Sequence, residues 1–180
     1  MDYPSYKDLQ EVREQLRDVS YERWLEHDLF SWQWWVLLAA AILPWIGWAY
    51  LVKKPHRSHV FAFAMLIGIA ASILDVIGVD LLLWGYPTKL IFMVPPLFPA
   101  DLTIIPVVFS LAYHYGKLWR KYIVYIIFLA IVFSYVIEPL FEWFNMYRNH
   151  QFPHWASLIG FFFLAVITKG ILDAILLKRD

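Results

Sequence analysis

Long apolar stretches separated by short polar loops make up the chain after residue 31. Four of these stretches exceed the roughly 20 residues that a transmembrane helix needs; they are residues 32–52, 59–84, 122–144 and 155–177. A fifth, residues 99–115, is shorter, and the apolar residues 90–97 before it are a candidate for irregular backbone that dips into the membrane. Such a dip is tolerated only against protein or a wet cavity. The pattern predicts an all-α polytopic membrane bundle of about five transmembrane helices.

The first 30 residues follow a different pattern. Apolar side chains recur every three or four positions with charges between them, which predicts an amphipathic helix of about four turns; they are Leu9, Val12, Leu16 and Val19. Ser5 followed by Asp8 has the form of a capping box, with Asp in place of the usual Glu. Helices that lie on a membrane usually carry Lys and Arg on the polar face. Residues 1–31 instead hold eight carboxylates against four Lys and Arg, which favours docking on a protein over the membrane surface. The chain therefore divides into an amphipathic segment, 1–30, and a transmembrane domain, 31–180.

Basic residues are concentrated in alternate loops between the predicted spans. One set of loops and the C-terminus hold Lys53, Lys54, Arg57, Lys117, Arg120, Lys121, Lys178 and Arg179, whereas the two opposite loops hold only Lys89 and Arg148. Because basic loops stay in the cytoplasm, five crossings predict a cytoplasmic C-terminus and an N-terminal helix outside the cell.

Composition supports a membrane location and excludes several kinds of chemistry. Hydrophobic residues make up 61% of the chain and charged residues 17%, and the ten Trp, eleven Tyr and fourteen Phe suit aromatic belts at two interfaces. Membrane lipids are therefore expected partners, and no basic stripe indicates nucleic acid. The absence of cysteine excludes disulfides, thiolate metal sites and thiol catalysis. No phosphate loop, serine-hydrolase elbow or zinc-protease motif is present, so no cofactor or metal is predicted.

Several ionisable side chains map to the outer half of this bundle. Asp75 lies about 24 Å and Glu138 about 25 Å from the inner ends of their helices, at 1.5 Å per residue. Because charge near the bilayer centre costs several kcal/mol, these two residues and their neighbours form a hypothetical ligand or ion site. Pro139 also frees the carbonyl of Tyr135, one turn below Glu138. The candidate residues are Asp75, Glu138, Asp101, Asp80, Glu142, His154 and Tyr135.

Each carboxylate also has a structural interpretation. Asp101 sits in a helix first turn, where free amides and the helix dipole stabilise a carboxylate. Asp80 and Glu142 lie near the lipid headgroups, where a charged side chain costs little free energy. For Asp75 and Glu138, which have no Lys or Arg at matching depth, the functional and structural interpretations stay equally open. Lys169 and Asp173, four residues apart on the last helix, are interpreted as a mutually neutralised pair or as snorkelling residues.

Three ordered motifs carry a resemblance to a known group of proteins. They are LDVIGVDLLLWGYP, then PP-x-x-P-x-D-L-T-x-x-P, then IEPLFEW. Together they resemble a family of small, uncharacterised multi-pass membrane proteins of spore-forming Firmicutes, over roughly residues 35–173. The resemblance implies a helical protein of the bacterial plasma membrane and carries no catalytic residues over to this chain.

Three functions are compatible with these features. In the first, the carboxylates bind or transport a cation, a proton or a small cationic ligand. In the second, the chain is a non-catalytic accessory subunit or homo-oligomer that meets its partner through the N-terminal helix. The third, given less weight, is an enzyme that modifies a lipid or isoprenoid with Glu138 and Asp75 as acid and base.

Overall fold

The computed structural model describes residues 3–93 and 97–176. The helices are α1 (Tyr6–Arg23), α2 (Trp32–Leu51), α3 (Arg57–Asp80), α4 (Ile105–Tyr115), α5 (Trp119–Val132), α6 (Glu138–Trp143) and α7 (His154–Leu176). Wider π-helical turns follow α1 (Trp24–Asp28), precede α4 (Ala100–Ile104) and join α5 to α6 (Phe133–Ile137), and a 3₁₀ turn precedes α3 (Lys54–His56). Two short strands, β1 (Trp84–Gly85) and β2 (Arg148–Asn149), complete the fold.

Four helical segments of the described chain are long and apolar enough to cross a membrane. They are Trp32–Leu51, Lys54–Asp80, Trp119–Trp143 and His154–Ile175. The predicted all-α class is confirmed, and four such helices support a membrane location. The segment predicted as a fifth span is helical from Ala100 to Tyr115 but is not among the four.

The short helix α4 lies inside the bundle. Phe109 and Ser110 on α4 are fully buried, and the central apolar cluster joins α4 to α3, α5 and α7 through Phe63, Tyr122 and Ala165. Hydrogen bonds also tie α2 to the chain around α4. Indole N–H groups of α2 donate to the Leu102 carbonyl and the Ser110 hydroxyl, and Thr103 donates to a carbonyl of α2. Burial on all sides explains why so short an apolar helix is stable here.

Helices α3 and α6 end at the same end of the bundle in the same way. Leu82 and Asn145 adopt left-handed backbone, with φ of 56° and 57°. The next residue in each case donates its N–H back to the helix, Leu83 to Gly78 and Met146 to Phe141, both at 2.9 Å. These are Schellman ends, which satisfy the last carbonyls of a helix.

After each of these helix ends the chain reverses, into β1 after α3 and into β2 after α6. The two strands pair antiparallel, with Trp84 opposite Asn149 and Gly85 opposite Arg148. We call this end of the bundle the strand end.

Among the described residues, the N-terminal segment contacts the loop after β1 through the end of α1 and the π-turn that follows it. Arg23 donates to the Pro87 carbonyl at 3.4 Å, and the ring centres of Tyr21 and Phe92 are 5.0 Å apart. The predicted capping box is confirmed, since Asp8 accepts from the Ser5 N–H at 2.7 Å and donates its own N–H to Ser5 Oγ at 3.2 Å. No residue of α1 is buried. Trp24 donates to the Leu90 carbonyl at 3.2 Å, and Asp28 accepts the Lys89 N–H at 3.0 Å.

The proposed membrane dip at residues 90–97 is only partly described. Leu90 and Leu97 are buried, and the Leu90 carbonyl also accepts from the indole of Trp34 at 3.0 Å. Residues 94–96 lie outside the described part of the chain, so the dip stays a prediction.

Candidate functional site

A cavity of about 370 Å³ lies at the strand end. Its walls come from α3, from the π-turns before α4 and before α6, and from α7, with the β1 loop above. Apolar side chains form most of the lining. The polar groups and aromatic donors among them are Asp75, Asp101, Glu138, Ser157, Trp84, Tyr86 and Tyr147. A largely apolar pocket with a few converging polar groups is the usual form of a ligand site.

Asp75 projects from α3 and is held through one of its two carboxylate oxygens. Its Oδ1 accepts from Trp84 Nε1 at 2.8 Å and from the Tyr86 hydroxyl at 2.6 Å. Both donors follow the Schellman end of α3, so the turn brings them back over the helix. A Cβ atom at Gly78 would overlap the Trp84 indole, and glycine is therefore needed for this packing. The loop residue Tyr86 remains a donor because burial, and then the nearby Asp75 charge, raise its pKa well above the usual value.

Asp101 lines the same cavity as Asp75. Both side chains are buried, at 5% exposure for Asp75 and 4% for Asp101. Their Oδ2 atoms are buried without a hydrogen-bond partner among the described residues. Two carboxyl groups can share a hydrogen bond only through a proton on one of them. The pair therefore has room for a proton or for an external donor.

Asp101 lies in the first turn of its helical segment, as predicted. No amide donates to its Oδ2 among the described residues, and its own N–H donates to the Leu97 carbonyl at 3.2 Å. Helical turns thus begin before Asp101, and the wide turn Ala100–Ile104 directs the carboxylate into the cavity.

Glu138 reaches the cavity from the start of α6. Its backbone N–H donates to the Phe133 carbonyl, five residues back, which defines the wide turn. Its Oε2 lies 3.0 Å from His154 Nδ1, at the first turn of α7. His154 thus supports Glu138 from outside the cavity lining. Together they place a carboxyl group and an imidazole ring in contact.

Three of the predicted site residues lie elsewhere. Asp80 is exposed and does not line the cavity. Glu142 is exposed and accepts the Asn149 N–H at 3.3 Å, a contact that steadies β2. Tyr135 is 48% exposed, and its ring centre is 6.0 Å from that of His154. The structure thus brings together Asp75, Asp101 and Glu138, with His154 behind them.

Sequence reasoning missed the aromatic side of the cavity. Trp84 and Tyr86 hold Asp75, and Tyr147 packs with its ring centre 5.8 Å from that of Tyr86. The signal was the pair of aromatic donors immediately after the carboxylate-bearing helix. Their contact depends on a turn of left-handed backbone at a leucine, which the residue pattern does not predict.

Lys169 and Asp173 form the predicted pair, away from the cavity. Lys169 Nζ lies 2.9 Å from Asp173 Oδ2 and is buried. Its ammonium group also lies 4.9 Å from the ring centres of Tyr113 and Trp119. The charge is neutralised and surrounded by aromatic faces, which agrees with the interpretation of these two residues as a mutually neutralised pair.

The charges around the cavity are one-sided. Within residues 3–93 and 97–176, no Lys or Arg lines it, and no group of three or more His, Cys, Asp or Glu side chains is arranged to hold a metal ion.

Comparison with family models, with curated proteins and with solved structures finds no match to this chain.

Proposed function

We propose that this membrane protein binds or transports a cation, a proton or a small cationic ligand at the carboxylate cavity. The observation that carries the proposal is the buried pair of Asp75 and Asp101, each with an unpartnered Oδ2. Buried carboxylates without partners are strongly disfavoured. A bound proton or cation satisfies these atoms, and no basic residue described in the cavity lining competes for them.

The surroundings of the pair suit reversible binding. Trp84 and Tyr86 fix Asp75 through Oδ1 and leave Oδ2 free. Glu138, with His154 behind it, adds a second acid on the wall formed by α6 and α7. A proton or cation entering beside one acid therefore has another within the same cavity.

Flux of protons and monovalent cations through the purified protein in liposomes tests this function. We expect flux, or saturable binding where transport is absent, in the wild type and its loss in Glu138→Gln and Asp75→Asn. Glu142→Gln is the matched control, because Glu142 lies one turn further along the same helix and outside the cavity. Thermal unfolding of each variant shows whether its fold is retained. If the folded wild-type protein showed no flux and no cation binding, the proposal would be refuted.

The membrane arrangement belongs to the same proposal. We place the protein in the bacterial plasma membrane with five passes, the N-terminus outside and the C-terminus in the cytoplasm. The basic loops support this orientation through the positive-inside rule. The strand end, with its carboxylate cavity, would then face the outside of the cell.

A second candidate function is assembly through α1. Its apolar stripe is exposed to between 51% and 65% at Leu9, Val12, Leu16 and Val19, although the helix is capped and complete. An ordered helix with an uncovered apolar stripe is a typical binding element for a partner or a second copy. We expect Leu16→Glu to dissociate such a complex and Gln15→Glu, on the polar face, to leave it intact. A molecular mass by light scattering that is unchanged by Leu16→Glu would exclude this role in homo-oligomers.

A further inference from the structure

The cavity opens sideways, between α3 and α7. Leu74 and Ile77 line it from α3 although they are 50% and 49% exposed. Across from them Ala156 is half-buried and Gly160 is exposed, and both also line the cavity. On both helices the lining residues that remain exposed lie on the side turned away from the bundle. These four residues therefore form a lateral mouth.

The lateral mouth lies on two segments that are long and apolar enough to cross a membrane. Leu74 and Ile77 lie within the membrane-length segment Lys54–Asp80, and Ala156 and Gly160 lie within His154–Ile175. All four are apolar, as expected of a surface in contact with acyl chains. A path through this mouth therefore starts in the bilayer and ends at the buried carboxyl pair.

We infer that the ligand is a membrane-dissolved amphiphile with one cationic amine head, which binds between Asp75 and Asp101 while its chain leaves between α3 and α7. This inference rests on the proposed function and narrows its ligand to one chemical class. Among the described residues the cavity lining holds carboxyl groups and no Lys or Arg, which matches a cationic head group. The two unpartnered Oδ2 atoms are acceptors for its N–H donors.

The lining favours an organic cation over an inorganic one. A metal ion would need several oxygen ligands or its own water shell, whereas most of this lining is apolar. An alkyl chain is compatible with such walls, and aromatic faces such as those of Trp84, Tyr86 and Tyr147 attract ammonium groups. The cavity volume of about 370 Å³ lies at the lower end of ligand pockets, which suits a head group whose chain extends outside.

The experiment uses the full-length protein in liposomes with a long-chain primary amine that carries a photoreactive diazirine on its chain. The matched alcohol is the head-group control. We expect the amine to label the peptides around Leu74–Ile77 and Ala156–Gly160 about tenfold more than the alcohol does, because the amine alone forms charge-assisted hydrogen bonds to the carboxyl pair. Mass spectrometry locates and quantifies the label.

Gly160→Phe tests the mouth. A Cβ atom added at Gly160 meets nothing within 4 Å, so we expect the variant to fold, and its ring to narrow the opening. Gly170→Phe is the matched control, because Gly170 lies on the same helix, also in open space, and outside the cavity. We expect labelling by the long-chain amine to fall about tenfold in Gly160→Phe and to be unchanged in Gly170→Phe.

A second ligand tests the cation site separately from the lateral path. Propylamine has the same head without the chain, and its binding is followed as a rise in melting temperature. If Asp75→Asn and Asp101→Asn abolish this rise while Gly160→Phe leaves long-chain labelling unchanged, the cation site stands and the lateral path is overturned. Equal labelling by amine and alcohol overturns the amine head group. If neither amine binds the folded wild type, the inference fails, and the flux experiment alone decides the proposed function.

Discussion

At the scale of single residues, the site depends on how the two oxygens of Asp75 differ. Oδ1 has two donors, and Oδ2 has none among the described residues. A purely structural aspartate would be expected to have both oxygens satisfied, since unpartnered buried acceptors are costly. The difference therefore supports a binding role in which Trp84 and Tyr86 position the carboxylate for a ligand at Oδ2.

Removing one donor measures how firmly Asp75 is held. Tyr86→Phe keeps the ring but loses the hydroxyl that lies 2.6 Å from Asp75 Oδ1. We expect the free energy of unfolding to fall by about 1.5–3 kcal/mol, the range for hydrogen bonds to charged groups. Thermal or denaturant unfolding in detergent measures the change. Tyr50→Phe, at a site that is 85% exposed, is the control, and an equal loss in both variants would refute the positioning role.

Asp28 gives the N-terminal attachment a dependence on pH. Burial raises its pKa above the ordinary value of 3.8, and the Lys89 N–H together with the charges of Arg23, Lys89 and His27 only partly offset this effect. Because the folded pKa is raised, the attachment is strongest below about pH 3.8 and weakens as the pH rises through the folded pKa. Burial also lowers the pKa of Lys89, a change that acts at alkaline pH.

Asp28→Asn removes this dependence and keeps an acceptor for the Lys89 N–H. We expect the variant to hold the segment at pH 7 at least as firmly as the wild type does, with no change between about pH 4 and pH 6. Hydrogen exchange of the peptides around Trp24 and Leu90 reports the attachment. Asp18→Asn, on the exposed part of α1, is the control. Protection in the wild type that increases with pH over this range would contradict the sign of the effect.

At the scale of elements, the cavity acids Asp101 and Glu138 occur at similar backbone irregularities. Asp101 lies in the π-turn Ala100–Ile104 and Glu138 directly follows the π-turn Phe133–Ile137, and in each case a proline lies two residues after the turn. Proline cannot donate to the carbonyl four residues back, and a wider turn accommodates that loss. Single π-turns in helices are frequent at functional sites because they redirect side chains.

Pro139→Ala tests whether the wide turn serves the site. Alanine restores an N–H for the Tyr135 carbonyl, so we expect α5 and α6 to join as a more regular helix and stability to rise by up to about 3 kcal/mol. Glu138 would then turn away from the cavity, and cation binding would fall. Pro44→Ala is the control, because Pro44 lies inside α2 without a π-turn and outside the cavity. Unfolding of the variant is measured in parallel. If cation binding were unchanged in Pro139→Ala, the wide turn would not be needed for binding.

At the scale of the whole molecule, apolar run length predicted the four membrane-length helices, because a long hydrophobic helix is a property of contiguous residues. The predicted start of the first span at Trp32 and the capping box at Ser5 agree with the structure. Depth along each helix also brought Asp75 and Glu138 to one level. Rotation about each helix axis and the left-handed backbone at Leu82 depend on tertiary packing. The residue pattern therefore does not predict the donors to Asp75 or the cavity itself.

The pairing of β1 with β2 bears on how many times the chain crosses the membrane. Because Trp84 pairs with Asn149, the ends of α3 and α6 lie on one face of the bundle. The chain must therefore return between them, and the segment from Ala100 to Tyr115 is the only helical part available among the described residues. At about 1.5 Å per residue this segment reaches about 24 Å, slightly less than a hydrocarbon core of about 30 Å. This geometry supports our proposal of five passes, in which α4 crosses inside the bundle.

Single cysteines test this count directly, because the natural chain contains none. Ser5→Cys, Ser58→Cys, Lys117→Cys and Gln151→Cys each place one thiol at an exposed position. We expect a membrane-impermeant maleimide to label positions 5 and 151 on intact cells, and positions 58 and 117 only after permeabilisation, because the basic loops stay in the cytoplasm. If α4 turned back without crossing, position 117 would be labelled with position 5, and position 151 would be protected together with position 58. That outcome would overturn the five-pass arrangement and place β1 and β2 on opposite sides of the membrane, where they could not pair.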